Sequence, residues 1–201
     1  MPISKTFLLT VLIVVLSKTL AWLIQLRTRN AGLVDTIWAW TLGALAGVYA
    51  LFGSAPAPLR GLLALMGVAW GLRLGTHLLI RNHGKPEDWR YAQFRARWGA
   101  RADFNMFWFF QFQNVFTLLL SSSAFLAVAY RPDMPPGWCC ALALGAPWGW
   151  TSLLAPLVMS WLLLKLSGVP MLEAGMGRRK PGYADYMRST NALIPWPPRR
   201  G

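Results

Sequence analysis

Four apolar runs, at about 6–26, 33–52, 59–80 and 106–130, each reach the roughly 20 residues that a helix needs to cross about 30 Å of hydrocarbon. In lipid a backbone must satisfy its own hydrogen bonds, so runs of this length are read as transmembrane helices. Charged residues make up 13% of the 201-residue chain, against roughly 25% in a soluble domain, so water is not the solvent for most of it. The first run continues past Lys18 to Leu26, lacks a small-residue cleavage site and is followed by arginines. It is expected to stay as an anchor.

The net charge of +13 would ordinarily raise nucleic acid as a partner, yet the basic residues come in blocks between the spans, which is the pattern of membrane topology. Membrane lipids are the expected partners, and no nucleic acid. Cys139 and Cys140 are sequence neighbours, which disfavours a disulfide between them, and they form no metal-ligand spacing with His77 or His83. No metal site is indicated. Residues 137–168 exceed one span and fall short of a hairpin. A single further span at about 150–169 leaves the blocks Arg27/Arg29, 81–101 and 178–200 on one side, the cytoplasm, with Lys5, Arg60 and Arg131 outside. Residues 137–149, with Trp138, Trp148 and Pro147, then lie at the outer interface.

The expected fold is therefore all-α: a single membrane domain over 1–201, a polytopic bundle of about five spans, N-terminus out and C-terminus in. It has a cytosolic loop at 81–105 and a cytosolic tail at 170–201. The loop stretch "HGKPEDWRYAQFRARWGARADF" should open a helix at Pro86, with Glu87 and Asp88 where the helix dipole favours acids. Tyr91, Phe94 and Trp98 share one face and Arg90, Arg97 and Arg101 another, as in an amphipathic interfacial helix. Two readings of this stretch stand side by side. One is an anchor in the headgroup region; the other is a polar cluster of Glu87, Asp88, Arg90 and Tyr91 at a cytosolic active-site mouth.

Inside the spans, Gln111, Gln113, Asn114, Thr117 and Ser121 to Ser123 need hydrogen-bond partners, across helices or on a substrate. Asp35, at the head of the second span, is either a buried acid or a helix-terminal charge. Lys18, Arg73 and Lys165 can snorkel, although Lys18 lies deep enough to invite a partner. In the tail, Pro181 can open a short helix that makes neighbours of Tyr183 and Tyr186, and Arg178, Arg179, Lys180 and Arg188 either hold anionic headgroups or a nucleotide phosphate. No glycine-rich phosphate fingerprint is present.

The pieces "QLRTRNAGLVDTIWAW", "RNHGKPEDWRYAQFR", "FQFQNVFTLLLSSS" and "GVPMLEAGMGRRKPGYADYMRSTNALIPWPP" together resemble the uncharacterised bacterial multi-pass membrane family grouped with the steroid 5-alpha-reductase C-terminal domain. The resemblance implies a bacterial inner-membrane protein that holds NADPH from the cytosolic side and reduces a conjugated C=C bond of a lipid-like substrate. Glu87, Tyr91 and Asp35 are the positions it offers for catalysis, by donating a hydrogen bond to the enone oxygen. Glu173, Arg178, Tyr183 and Tyr186 are those it offers for the cofactor. One segment departs from the family pattern: the cofactor-binding "RYSRHPNYFGE"-like stretch is absent. The chain runs from "AVAYRPDMPPGW" through "CCALALGAPWGW" to its last span, as though two spans and a loop had been lost between Trp138 and Cys139. Such a loss implies NADPH affinity that is weak or gone and catalysis that is impaired. A membrane methyltransferase-like enzyme and a non-catalytic membrane protein are the alternatives.

Overall fold

The computed structural model describes residues 1–130, 157, 160, 161 and 182–190, and the chain divides into two compact units, Met1–Ser152 and Leu153–Gly201. In the first unit lie α1 (Ile3–Thr28), α2 (Leu33–Phe52), α3 (Ala57–Asn82), the short α4 (Trp89–Trp98) and α5 (Ala102–Ser121). The last continues through a π turn, Ser122–Leu126, into Ala127–Ala129. No strand occurs among the described residues. Four helical stretches are long and apolar enough to cross a membrane, the fourth being the nearly continuous Trp89–Leu126. The first and third expected spans are each extended by two or three residues at both ends, the second agrees, and the fourth starts at Ala102. The fifth expected span and the interfacial stretch 137–149 lie outside the described residues.

The four long helices alternate in direction. At one end the Met1 amine donates to the Phe52 carbonyl at 3.2 Å, Tyr130 Oη donates to the same carbonyl at 3.2 Å, and Ala55 N–H donates to Ala129 O at 2.9 Å. The start of α1, the end of α2 and the end of the α5 stretch therefore meet there. At the opposite end Ala31 N–H, in the α1–α2 turn, donates to Glu87 just before α4 at 2.8 Å, and Arg29 pairs with Asp103 at the head of α5.

Burial runs opposite to that of a soluble bundle. On α1 the buried face carries Thr6, Thr10, Val14, Lys18, Ala21 and Gln25, whereas Leu8, Leu12, Leu16, Leu20 and Leu23 are exposed. A helix that hides hydroxyls, an ammonium and an amide while presenting leucines outward suits lipid, where polar groups gain by partnering one another. Thr6 Oγ1 meets Tyr130 Oη, Thr10 Oγ1 meets Tyr49 Oη at 3.2 Å, and Lys18 Nζ donates to Gln113 Oε1 at 3.1 Å. Lys18 is fully buried and does not snorkel.

α2 and α3 pack through small residues. A Cβ placed on Gly71 would lie 2.6 Å from the Gly43 Cα, one on Gly67 would collide with the Ala46 side chain, and one on Gly75 with the Trp40 ring. Gly67, Gly71 and Gly75 recur every four residues, so they line one stripe of α3 and let two backbones approach closely.

The loop helix differs from expectation. It begins at Trp89, not at Pro86, because Asp88 is the N-cap and accepts from Arg90 N–H at 2.9 Å. Gly99, at φ 52°, ends it, and one 3-10 turn, Gly99–Arg101, leads straight into α5. With so short a link α4 folds back on α5. Its aromatic stripe is turned inward: Phe94 stacks on Trp98 with centroids 5.1 Å apart, and Tyr91 and Phe94 meet Phe109 and Phe110. The stripe is a packing face against protein, while Arg97 and Arg101 are exposed.

The second unit contributes the helix Tyr183–Ser189, which starts after Gly182 at φ 81°.

Candidate functional site

Asp35 occupies the first turn of α2, where the helix dipole favours a carboxylate. α4, pinned by its aromatic face, projects two side chains at it. Tyr91 Oη donates to Asp35 Oδ1 at 3.1 Å, and Arg90 Nη2 reaches Asp35 Oδ2 at 3.4 Å. Tyr91 is 4% exposed and its ring meets Phe109 and Phe110 edge-on, so the phenol is held in one direction. Arg90 lies over the Tyr91 ring, 5.6 Å from guanidinium carbon to centroid, and clamps Asp88 with Nε to Oδ1 and Nη2 to Oδ2, both at 3.0 Å. Burial pushes the Asp88 carboxyl up, but the Arg90 side-chain and backbone hydrogen bonds and the Arg90 charge outweigh it and hold the group below its ordinary range.

Glu87 belongs to a neighbouring cluster. Its Oε1 accepts from Ala31 N–H at 2.8 Å and Arg95 Nη2 at 3.0 Å, and its Oε2 from Arg95 Nε at 3.3 Å. Arg95 also donates to Gln25 Oε1 at 2.9 Å and to Asp103 Oδ1 at 3.2 Å, and Asp103 Oδ2 takes Arg29 at 3.0 Å. Both Glu87 oxygens are thus engaged in tying the α1–α2 turn to α4 and α5.

Of the three residues picked out for catalysis, Asp35 and Tyr91 come into contact and Glu87 stands beside them as a tie. Of the four picked out for a cofactor, Tyr183 and Tyr186 stack with centroids 5.6 Å apart, while Glu173 and Arg178 lie outside the described residues. Arg95, Asp103 and Gln25 are not among the residues that the sequence singles out. Asp103 carried a usable signal, being an acid in the first turn of an apolar helix just as Asp35 is.

A dinucleotide needs oriented cationic donors around its phosphates. Arg29, Arg90 and Arg95 are each bound to a carboxylate of the chain itself. A pyrophosphate held by these three would break their ion pairs, whereas Arg27, Arg81, Lys85, Arg97 and Arg101 form none among the described residues.

A family model described as "Protein of unknown function (DUF1295)" matches the chain over residues 21–145 and 136–190. The chain belongs to this family. DUF1295 is related to the steroid 5-alpha-reductase-like membrane proteins. Its match here falls in two pieces that overlap at 136–145. No curated protein and no solved structure matches the chain.

Proposed function

We propose that this DUF1295 chain is a lipid enone reductase scaffold of the bacterial inner membrane which retains the substrate-polarising pair Asp35 and Tyr91 and has lost most of its affinity for NADPH through an internal deletion. The observation that carries the reading is the 3.1 Å contact of the buried Tyr91, packed on Phe109 and Phe110, with the partly exposed Asp35 carboxylate. A phenol held in one direction beside a carboxylate is a hydrogen-bond donor prepared for an uncharged oxygen. A lipid carbonyl that displaced Asp35 as the acceptor would be polarised, while Arg90 kept the carboxylate in place. NADPH would supply hydride to such a carbonyl compound in an intact relative. In this chain Arg90, the cation that touches the pair, is already bound to Asp35 and Asp88. The two-piece family match, whose pieces overlap at 136–145, supports the deletion, which the sequence resemblance puts between Trp138 and Cys139.

Saturation of Arg29, Arg90 and Arg95 by internal carboxylates also favours a second reading, a non-catalytic membrane protein. Resequencing the gene across the codons for Trp138 and Cys139 tests the deletion: an uninterrupted longer frame would remove its basis. Parallel titration with S-adenosylmethionine tests the reaction class. No saturable binding is expected, and micromolar binding would replace the reductase reading with the methyltransferase-like one.

A further inference from the structure

Lys18 lies ten residues before the end of α1 at Thr28, about 15 Å along the helix and so near mid-membrane. It is fully buried. Its ammonium carries three N–H donors and makes one hydrogen bond among the described residues, to Gln113 Oε1 at 3.1 Å. It forms no ion pair among those residues. Asp35 acts on it through space while its own oxygens are held by Tyr91 and Arg90.

The next residue of α5 shows a complementary imbalance. Asn114, 6% exposed, donates through Nδ2 to Gln111 Oε1 at 2.7 Å, but its Oδ1 is buried and has no partner among the described residues. Gln111 Nε2 in turn donates to Thr19 Oγ1 at 3.1 Å. Helix-to-helix adhesion accounts for the Gln111–Thr19 and Lys18–Gln113 bonds. It does not account for an intramembrane charge with unfilled donors and, one residue along α5 from its acceptor Gln113, an amide oxygen with no donor, since both are costly away from water.

We infer that Lys18 and Asn114 form an intramembrane site for the hydroxyl group of a lipid-like alcohol, which accepts from the Lys18 ammonium and donates to Asn114 Oδ1. A hydroxyl alone among the common lipid oxygens does both. A carboxylate suits the region less well, because the two cations Lys18 and Arg90 are already matched in number by the carboxylates Asp35 and Asp88, and an added anion would leave a net negative charge. Entry is from the lipid side of the α1–α5 seam. Thr19, Gln111 and Gln113 are partly exposed there, and a rotation of the Gln113 side chain frees the ammonium.

The test is saturable binding of radiolabelled 1-hexadecanol to the full chain in nanodiscs, above its partition into empty nanodiscs. No nucleotide is present, so failure of the reductase reading leaves the result untouched. A hydrogen bond to a charged group corresponds to roughly a ten- to hundredfold change in affinity. Lys18→Met should weaken binding by that factor. Asn114→Leu should weaken it several-fold, and the methyl ether of the same alcohol, which cannot donate, should bind correspondingly less well. Gln113→Leu, which removes the competing acceptor, should leave binding equal or tighter. Absence of saturable binding to the wild type, or equal binding by Lys18→Met, overturns the site. If Lys18→Met fails to fold, the ether and Gln113→Leu decide: an ether that binds as well as the alcohol, or a tenfold loss in Gln113→Leu, overturns it.

Discussion

Tyr91 and Asp35, 56 positions apart in sequence, are joined by a hydrogen bond of 3.1 Å across the α2–α4 junction. Removing the hydroxyl leaves Asp35 still bound to Arg90. Tyr91→Phe is therefore expected to cost about 1 kcal/mol of stability while keeping the fold, and to abolish any enone turnover that the wild type shows. Thermal unfolding in detergent, run beside a turnover assay, separates the two effects. A loss of folding would make the pair a structural element alone.

Glu87 should behave differently. Its side chain is 12% exposed and its partner Arg95 22%, so truncation leaves a guanidinium with one carboxylate fewer in a half-dry site. Glu87→Ala is expected to destabilise by about 3 kcal/mol, and Arg95→Met in the same chain to recover part of that. A double-mutant cycle on detergent unfolding measures the coupling. Additive single effects would show that Glu87 acts chiefly through Ala31 N–H.

Four spans were legible because a 20-residue apolar run has few other uses, and Tyr91 was legible in a polar cluster with Glu87, Asp88 and Arg90, while Asp35 was read apart from it as a buried acid or a helix-terminal charge. The pairings were not, because Glu87 with Ala31 and Tyr91 with Asp35 join residues 56 apart, a distance that no periodicity carries. The aromatic stripe of α4 reads equally well as a lipid anchor or a packing face until Phe109 and Phe110 are seen beneath it. The glycine stripe of α3 was present in the sequence at four-residue spacing, yet its meaning depends on Gly43 and Trp40 of the facing helix.

That stripe gives a direct contrast in stability. Gly71→Leu drives a side chain into the Gly43 backbone and should cost more than about 2 kcal/mol. Gly61→Ala, on the same helix with nothing within 4 Å of the added carbon, should be neutral or slightly stabilising. Equal effects in detergent unfolding would mean that α2 and α3 do not pack through these residues.

Asp88 links the N-cap of α4 to pH. Its folded pKa lies below the ordinary 3.8, so its contribution to stability is present above about that pH and is lost as pH falls through the lower folded value. Asp88→Asn should remove that part of the acid-side decline. Unfolding curves of the two proteins that stay parallel from pH 5 to pH 2 would contradict the assignment.

The basic residues gathered where α1 ends, α3 ends and α4 lies predict that this end faces the cytoplasm. With Cys139 and Cys140 changed to serine, a single cysteine at Gly84 should be labelled only from the cytoplasm and one at Ser54 only from outside. The reverse pattern would invert the topology.

On the proposed reading the Asp35–Tyr91 pair persists while the nucleotide site does not. Titration of NADPH into the detergent-solubilised full chain, followed by tryptophan fluorescence, tests it most directly. Loss of three charge-assisted contacts amounts to about 5 kcal/mol, or several thousand-fold in affinity, so no saturation is predicted below roughly millimolar NADPH. Saturable binding at micromolar NADPH would contradict that reading.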